Sequence, residues 1–442
     1  MSTTPLTDRL SRAQALAALD HDRLARYRQY LDFYQGNQWD RPPRPGETRL
    51  TVNYARALVR KLASFVFSQP VTFSVPASPA AERYLNQLAQ EQDWHALDEQ
   101  TLIDAAVLGD GAFKVTWDAQ AGQPRVSAID PATLFAWVAP DNVRQLTRVA
   151  QRYWLPAASA AQAFAVPLPA LDAAATVPVV EDWTADWLVV EVAGQVVRDE
   201  PNPYGAIPYV IFPNTPRPHS LWGESDLADI LDLCRELNRR LTTLARILQV
   251  SGNPIVVLEN VTAADGVRAE PGAVWELPPD SRAYLLDLLA GGGVRLHIDT
   301  IELLYRAIHD LAEVPRAAFG DPRRELSGAA LEVELQPLVQ RVQRKRRIWE
   351  SIYRRRNALV LALAEQFGGY DFGGARQSVV NWGPILPQDF TRLVEAEVAL
   401  VRAGIRSRQG ALAALGVTDP AAEWQRALAE QQALAAQEQN GG

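Results

Sequence analysis

Apolar residues recur at Leu227, Ile230, Cys234, Leu237, Leu241, Leu244 and Leu248, in steps that alternate between three and four. That spacing draws one narrow stripe down a helix of about 26 residues, roughly 39 Å long. A stripe so narrow packs on another long helix, in the same chain or in a neighbouring copy, so assembly is expected before any pocket. Charge is sorted along the same stretch: Glu224, Asp226, Asp229 and Asp232 come first, then Arg239, Arg240 and Arg246. Acids at the positive end of a helix and bases at its negative end each contribute roughly a few tenths of a kcal/mol.

Helical spacing also marks residues 7–35, with Leu10, Ala13, Ala17, Leu24, Tyr27 and Leu31 on one side and a stop at Gly36-Asn37. It returns over 53–67 and over 80–108, the latter ending at Gly109-Asp110-Gly111. Pro70 to Pro76 reads as extended, and Phe113 to Trp117, Arg125 to Ile129 and Leu134 to Val138 as short strands. An Ala/Pro-rich stretch at 155–180 predicts a variable loop, Trp187 to Val197 a hairpin, and 201–218, with six prolines, a stiff connector. Beyond the stripe, Ile255 to Glu259 and Ala273 to Leu277 read as strands, and 299–313 as a second helix. Residues 314–328 hold two prolines and two glycines and cannot be one helix; 329–366 is long and helical, with a kink expected at Pro337. Helix resumes over 388–436, broken at Gly404, Gly410 and Gly416, and 437–442 is expected to be disordered.

Composition narrows the class. In 442 residues, 48% hydrophobic and 22% charged, one to three ordinary globular domains are expected. The absence of an apolar run near the roughly 18 residues that span a bilayer, and of a basic-then-apolar start, predicts a chain made in the cytosol and no membrane contact. A lone cysteine allows no intrachain disulfide, and Cys234 on the stripe reads as a small buried hydrophobe. The net charge of −8 argues against a protein that coats nucleic acid by bulk attraction.

Little in the chain points to catalysis. Gly291-Gly292-Gly293 lacks the Gly-Lys-Ser/Thr ending of a phosphate loop. The five histidines do not form a zinc helix, and His309-Asp310 reads as a surface pair; Asp104 and Asp110 flank a helix end as caps or loop anchors. No catalytic residue, metal or cofactor is expected. One basic cluster stands out: Arg341, Arg344, Lys345, Arg346, Arg347, Arg354, Arg355 and Arg356, opposed only by Glu350. It reads as a solvated or intersubunit salt-bridging face, or as a contact for nucleic acid or an acidic partner, with Arg341, Arg344, Lys345 and Arg347 the residues to watch.

Several blocks, in order, resemble the tailed-phage portal proteins, the siphovirus-type family in particular. They are Tyr30-Leu31-Asp32-Phe33-Tyr34-Gln35-Gly36 with Val52-Asn53-Tyr54-Ala55 and Lys61, then Gly109-Asp110-Gly111-Ala112-Phe113. Asn202-Pro203-Tyr204-Gly205 with Ile207-Pro208, Gly223-Glu224-Ser225-Asp226-Leu227 and Asn238 follow. Ser327-Gly328-Ala329-Ala330-Leu331, Leu400 to Arg408 and Leu415-Gly416-Val417 close the series, whereas residues 140–200 and the last 20 carry little resemblance.

The resemblance implies an α+β, mainly helical portal fold with wing, stem, clip and crown regions that assembles as a ring, typically dodecameric. By position, 1–222 and 329–385 would be wing, 223–250 and 299–313 stem, 251–298 clip and 386–442 crown. The tunnel loop, 314–328, would bring Val314, Arg316, Phe319, Asp321, Arg323, Arg324 and Glu325 to a channel for double-stranded DNA. Implied partners are further copies of the chain, the terminase, the major capsid and scaffolding proteins and a head-completion adaptor. The implied place is the capsid vertex, reached from the host cytoplasm. The rivals are another head-tail connector or minor head protein, which would lack the 251–298 block, and a nucleic-acid-processing enzyme using the basic cluster.

Overall fold

Leu338, Val342, Trp349, Ile352, Tyr353, Val360, Leu361 and Ala364 fall on one side of a helical repeat and are all buried, so one 33-residue helix, Gln336–Gly368, runs through the core. In the computed structural model the described residues are 16, 18–167, 175–252, 256–260, 279–285, 293–320, 328–386, 390–417 and 420–440. They divide into two compact units, Met1–Trp382 and Gly383–Gly442, the first holding the long helix. The fold is α+β, about half helical, with several small sheets.

Against the long helix lies a three-stranded antiparallel sheet, Asp110–Asp118 between Gln123–Ala128 and Tyr209–Pro213. Phe113 and Phe212 from this sheet meet Trp349 at ring-centroid distances of 6.0 and 5.5 Å. A five-stranded antiparallel meander, in sequence order from Leu134–Ala139 to Gln195–Pro201, stands beside it. One meander face buries Val149, Val177, Val179, Leu188, Val190 and Val192. The other takes Leu24 and Tyr27, from helix His21–Gln35, against Phe135, Ala150 and Val180. Thr72–Ser74 pairs antiparallel with Val379–Asn381 and so ties the start of the first unit to its end.

Several expected boundaries move. The predicted helix at 80–108 is two, Pro79–Glu91 and Trp94–Leu108, because Asp93 turns left-handed (φ 47°) and its side chain accepts the Ala96 N–H to start the second. Much of the supposed loop at 155–180 is ordered: a strand runs to Pro156, helix Ala157–Phe164 follows, and the next strand begins at Thr176. Where a kink was expected, the chain passes from helix Gly328–Glu334 to the long helix at Leu335. Pro337 then falls in the first turn, where its missing N–H would have had no helical partner. Strand Val256–Glu259 pairs with Arg282–Leu285; the predicted strand Ala273 to Leu277 lies outside the described residues.

In the second unit, helices Phe390–Arg402, Arg408–Ala414 and Pro420–Asn440 follow one another. Breaks fall after Arg402 and Ala414, where Gly404 and Gly416 take positive φ, whereas Gly410 lies inside a helix, and helix rather than disorder continues to Asn440. No described helix is long and apolar enough to cross a membrane.

Candidate functional site

The striped segment forms helix Leu231–Gly252, and its partner is helix Gly293–Leu311, six residues longer at its start than the spacing at 299–313 predicted. Tyr54 meets Tyr305 near the end of the second helix at 5.0 Å, while Asn238, early in the first, accepts the neighbouring Val52 N–H at 2.8 Å. The two helices are therefore antiparallel, with strands Val256–Glu259 and Arg282–Leu285 between them in sequence.

The stripe is buried at one end and bare at the other. Leu227, Ile230, Cys234 and Leu237 are buried; Leu241 and Leu244 are half-buried, and Leu248 is exposed. Leu227 and Ile230 lie before the helix, not within it, as do Glu224, Asp226 and Asp229; only Asp232 occupies the first turn. Burial pushes the Cys234 thiol up to about 12, so it is packing and not a nucleophile. On the second helix Leu296 and Leu303 are 69% and 68% exposed, one heptad apart, with Leu311 about a quarter-turn away. Covering a leucine contributes about 1.5–3 kcal/mol. A lone chain leaves this stripe in water.

Residues after the second helix fold back on it. Ala312 and Val314 are buried, and the chain makes a single 3-10 turn at Arg316–Phe319. His309, expected on the surface, is buried instead, with Nδ1 2.6 Å from the Val314 carbonyl and its ring packed among Tyr54, Tyr305 and Phe319. Burial lowers its pKa. Arg316 stacks over Tyr305 at 4.6 Å, and Lys61 reaches to 5.3 Å from the Phe319 ring. Of the loop residues singled out in sequence, Val314 is thus core, Arg316 and Phe319 pack on the hairpin, and Asp321, Arg323, Arg324 and Glu325 lie outside the described residues.

The basic cluster does not form one outward row. Lys345 is buried and bonds Asp226 (2.9 Å) and Asn214; Arg341 pairs with Asp226 (3.0 Å) and donates to the Ala312 carbonyl. Arg344 pairs with Glu313, and Arg346 and Arg355 bond the carbonyls of Val66 and Ile211. Arg356, fully buried, pairs with Asp98, which also accepts from the Tyr353 hydroxyl at 2.9 Å. Arg347 and Arg354 are the cluster members that face solvent without an acid, each bonding a carbonyl one turn back in its own helix. A solvated basic face is therefore the wrong description for Arg341 and Lys345, because the long helix turns them into the molecule.

Asp226 collects the local charges. Burial would raise its pKa, but the pull of Arg341 and Lys345 outweighs burial and holds it at about 2, ionised at any working pH. A signal for the buried cations does stand in the sequence, though it went unused in the sequence reading: Leu338, Val342, Lys345, Trp349 and Arg356 share one helical stripe. What it had no means of supplying was Asp98 and Asp226, whose burial is decided by contacts more than a hundred residues away. Asp110 is a loop anchor, accepting the Gly223 N–H at 2.7 Å and the Tyr27 hydroxyl proton. Gly223 is needed there: a Cβ would come within 2.6 Å of the Gly109 carbonyl oxygen. Among the described residues no group of three or more His, Cys, Asp or Glu comes together as a metal would require.

Compared with known families, residues 15–162 and 180–437 match the model described as phage portal protein, SPP1 Gp6-like. No curated protein matches the chain.

Proposed function

The chain belongs to the phage portal protein family, SPP1 Gp6-like, and from that we propose that its copies close into a ring, dodecameric as is typical of such proteins, at one vertex of the capsid. Double-stranded DNA passes through the ring during packaging and ejection. The terminase docks on it while DNA enters, and the head-completion adaptor replaces the terminase afterwards; the major capsid and scaffolding proteins surround it. In this reading helices Leu231–Gly252 and Gly293–Leu311 are the stem and the segment between them the clip. Residues 314–328 are the tunnel loop, the long helix and the sheets before the stem are wing, and residues 386–442 are the crown.

The observation that carries the reading is the bare apolar stripe on the helical hairpin, Leu296 and Leu303 with Leu248. The stem helices of neighbouring copies would cover it. Electrostatics agree with a conduit: several firm phosphate contacts per copy, repeated around a ring, would stall moving DNA. Net charge is −8, and Arg341, Lys345 and Arg356 are spent on internal acids. A nucleic-acid enzyme built on the basic cluster is disfavoured on the same ground. The portal is then passive, with the ATP-driven motor on the terminase.

Purified protein should form rings visible by negative-stain microscopy and hydrolyse no ATP alone. A monodisperse monomer under every assembly condition would overturn the reading, as would ATP turnover by the isolated ring.

A further inference from the structure

The turn that ends the second hairpin helix is strained and held from outside. Glu313 has φ 47°, in the left-handed region that costs a residue with a Cβ about 1–2 kcal/mol. It carries three amide bonds: Ala312 N–H to Ile308, Glu313 N–H to Asp310 and Val314 N–H to His309. Two cations of the long helix grip it. Arg344 pairs with the Glu313 carboxylate at the surface, a contact of modest worth, while Arg341 donates to the Ala312 carbonyl. The same Arg341 guanidinium pairs with Asp226, which stands just ahead of the first hairpin helix.

Asp226 is in turn tied to the wing: its N–H bonds the Ala106 carbonyl, Oδ1 accepts from Asn214 at 2.9 Å, and Lys345 bonds the same carboxylate. Oδ2 is buried with no hydrogen bond from the described residues. Burying two cations and one carboxylate is a poor route to stability, since desolvation offsets most of the Coulomb gain. Such groups define direction instead. One guanidinium that must satisfy both Asp226 and the Ala312 carbonyl permits one separation between the starts and ends of the two helices.

We propose that Arg341 is the positioning residue that fixes where the chain leaves the second hairpin helix, by holding the strained Glu313 turn against Asp226. The proposal rests on the portal reading only for its consequence, that the turn at Ala312-Glu313 would lead into the tunnel loop, 314–328; the lock itself is a property of the single chain.

Hydrogen–deuterium exchange on the soluble full-length protein tests it. In Arg341→Met, exchange at the Ala312, Glu313 and Val314 amides should rise at least about tenfold, with core amides of the long helix and the melting temperature nearly unchanged. Arg341→Lys keeps the charge but replaces the two-armed fork, which reaches Asp226 and the Ala312 carbonyl from separate nitrogens, by a single nitrogen, and should raise exchange at the same three amides to a lesser degree. It also serves if the methionine variant does not fold. Glu313→Gly removes the left-handed cost, so adding it to Arg341→Met should restore much of the protection. Arg354→Met, exposed on the same helix, should change nothing. Unchanged exchange at 312–314, an equal rise throughout the core, or no rescue by Glu313→Gly would each overturn the lock. Ring formation is scored separately by microscopy. Wild-type protein that makes no rings defeats the portal reading and leaves the exchange result standing.

Discussion

At the scale of single residues, the first unit is held by polar groups placed where apolar ones would pack. Asp110 is 1% exposed, and burial raises its pKa to about 6 despite the Tyr27 hydroxyl, the Gly223 N–H and the Coulomb pull of Arg23 and Arg217. In the unfolded chain the same carboxyl titrates near the model-peptide value of about 3.9. Between those values the folded state binds the proton more tightly, so this group's contribution to stability falls as pH rises from about 4 to about 6 and stays low above. Asp110→Asn keeps an acceptor and removes the charge. Its stability should match wild type near pH 4 and exceed it at pH 7 by up to about 3 kcal/mol, read from urea melts at both values. Equal differences at the two pH values would show that the carboxyl does not titrate there. The Gly109-Asp110-Gly111 block was visible in the sequence as a tight turn of small residues. Its purpose, to let Asp110 reach Gly223 with the Gly109 carbonyl alongside, was not, because that partner lies 113 residues further on.

Among the elements, periodicity served well where a single face decides burial and poorly where two elements compete for one residue. The three–four spacing at 227–248 located the first hairpin helix, yet four of its seven marked positions are core and the last is solvent-exposed. Periodicity reports that a stripe exists, not how far along it the chain's own partner extends. The same limit explains His309, which shares the second hairpin helix with the exposed Leu303 but faces Tyr54. In the ring reading the exposed remainder is the contact between copies. Leu303→Glu should leave the monomer's stability within the spread of ordinary surface changes, about 0.5 kcal/mol. It should weaken each contact by about 1.5–3 kcal/mol of lost burial, plus the desolvation of a charge. Sedimentation velocity then shows monomer at concentrations where wild type is assembled. Rings that persist at wild-type concentrations would place Leu303 outside the interface.

For the whole molecule, the question is how a chain with 41 arginines among its 44 basic residues would, in the proposed ring, let DNA pass without holding it. Arginine's fork suits directional bonds inside a protein, and here it is used that way: Arg23 reaches the Pro131 and Leu134 carbonyls, Arg346 the Val66 carbonyl, and Arg356 the Asp98 carboxylate. Those three cations, which looked available in sequence, are thereby withdrawn from the surface. In the proposed reading, contact with DNA would fall to the loop after the hairpin, whose sequence sets Arg316, Arg323 and Arg324 against Asp321 and Glu325, a near balance that would let it touch a phosphate and release it. If so, assembly and conduction are separable. Deleting Ala317 to Glu325 should leave rings of normal appearance by negative stain, because the stem stripe is untouched, while heads assembled on those rings package or retain less DNA. Full packaging and retention by the deleted ring would remove the loop from the path of the DNA and leave the lumen walls alone to guide it.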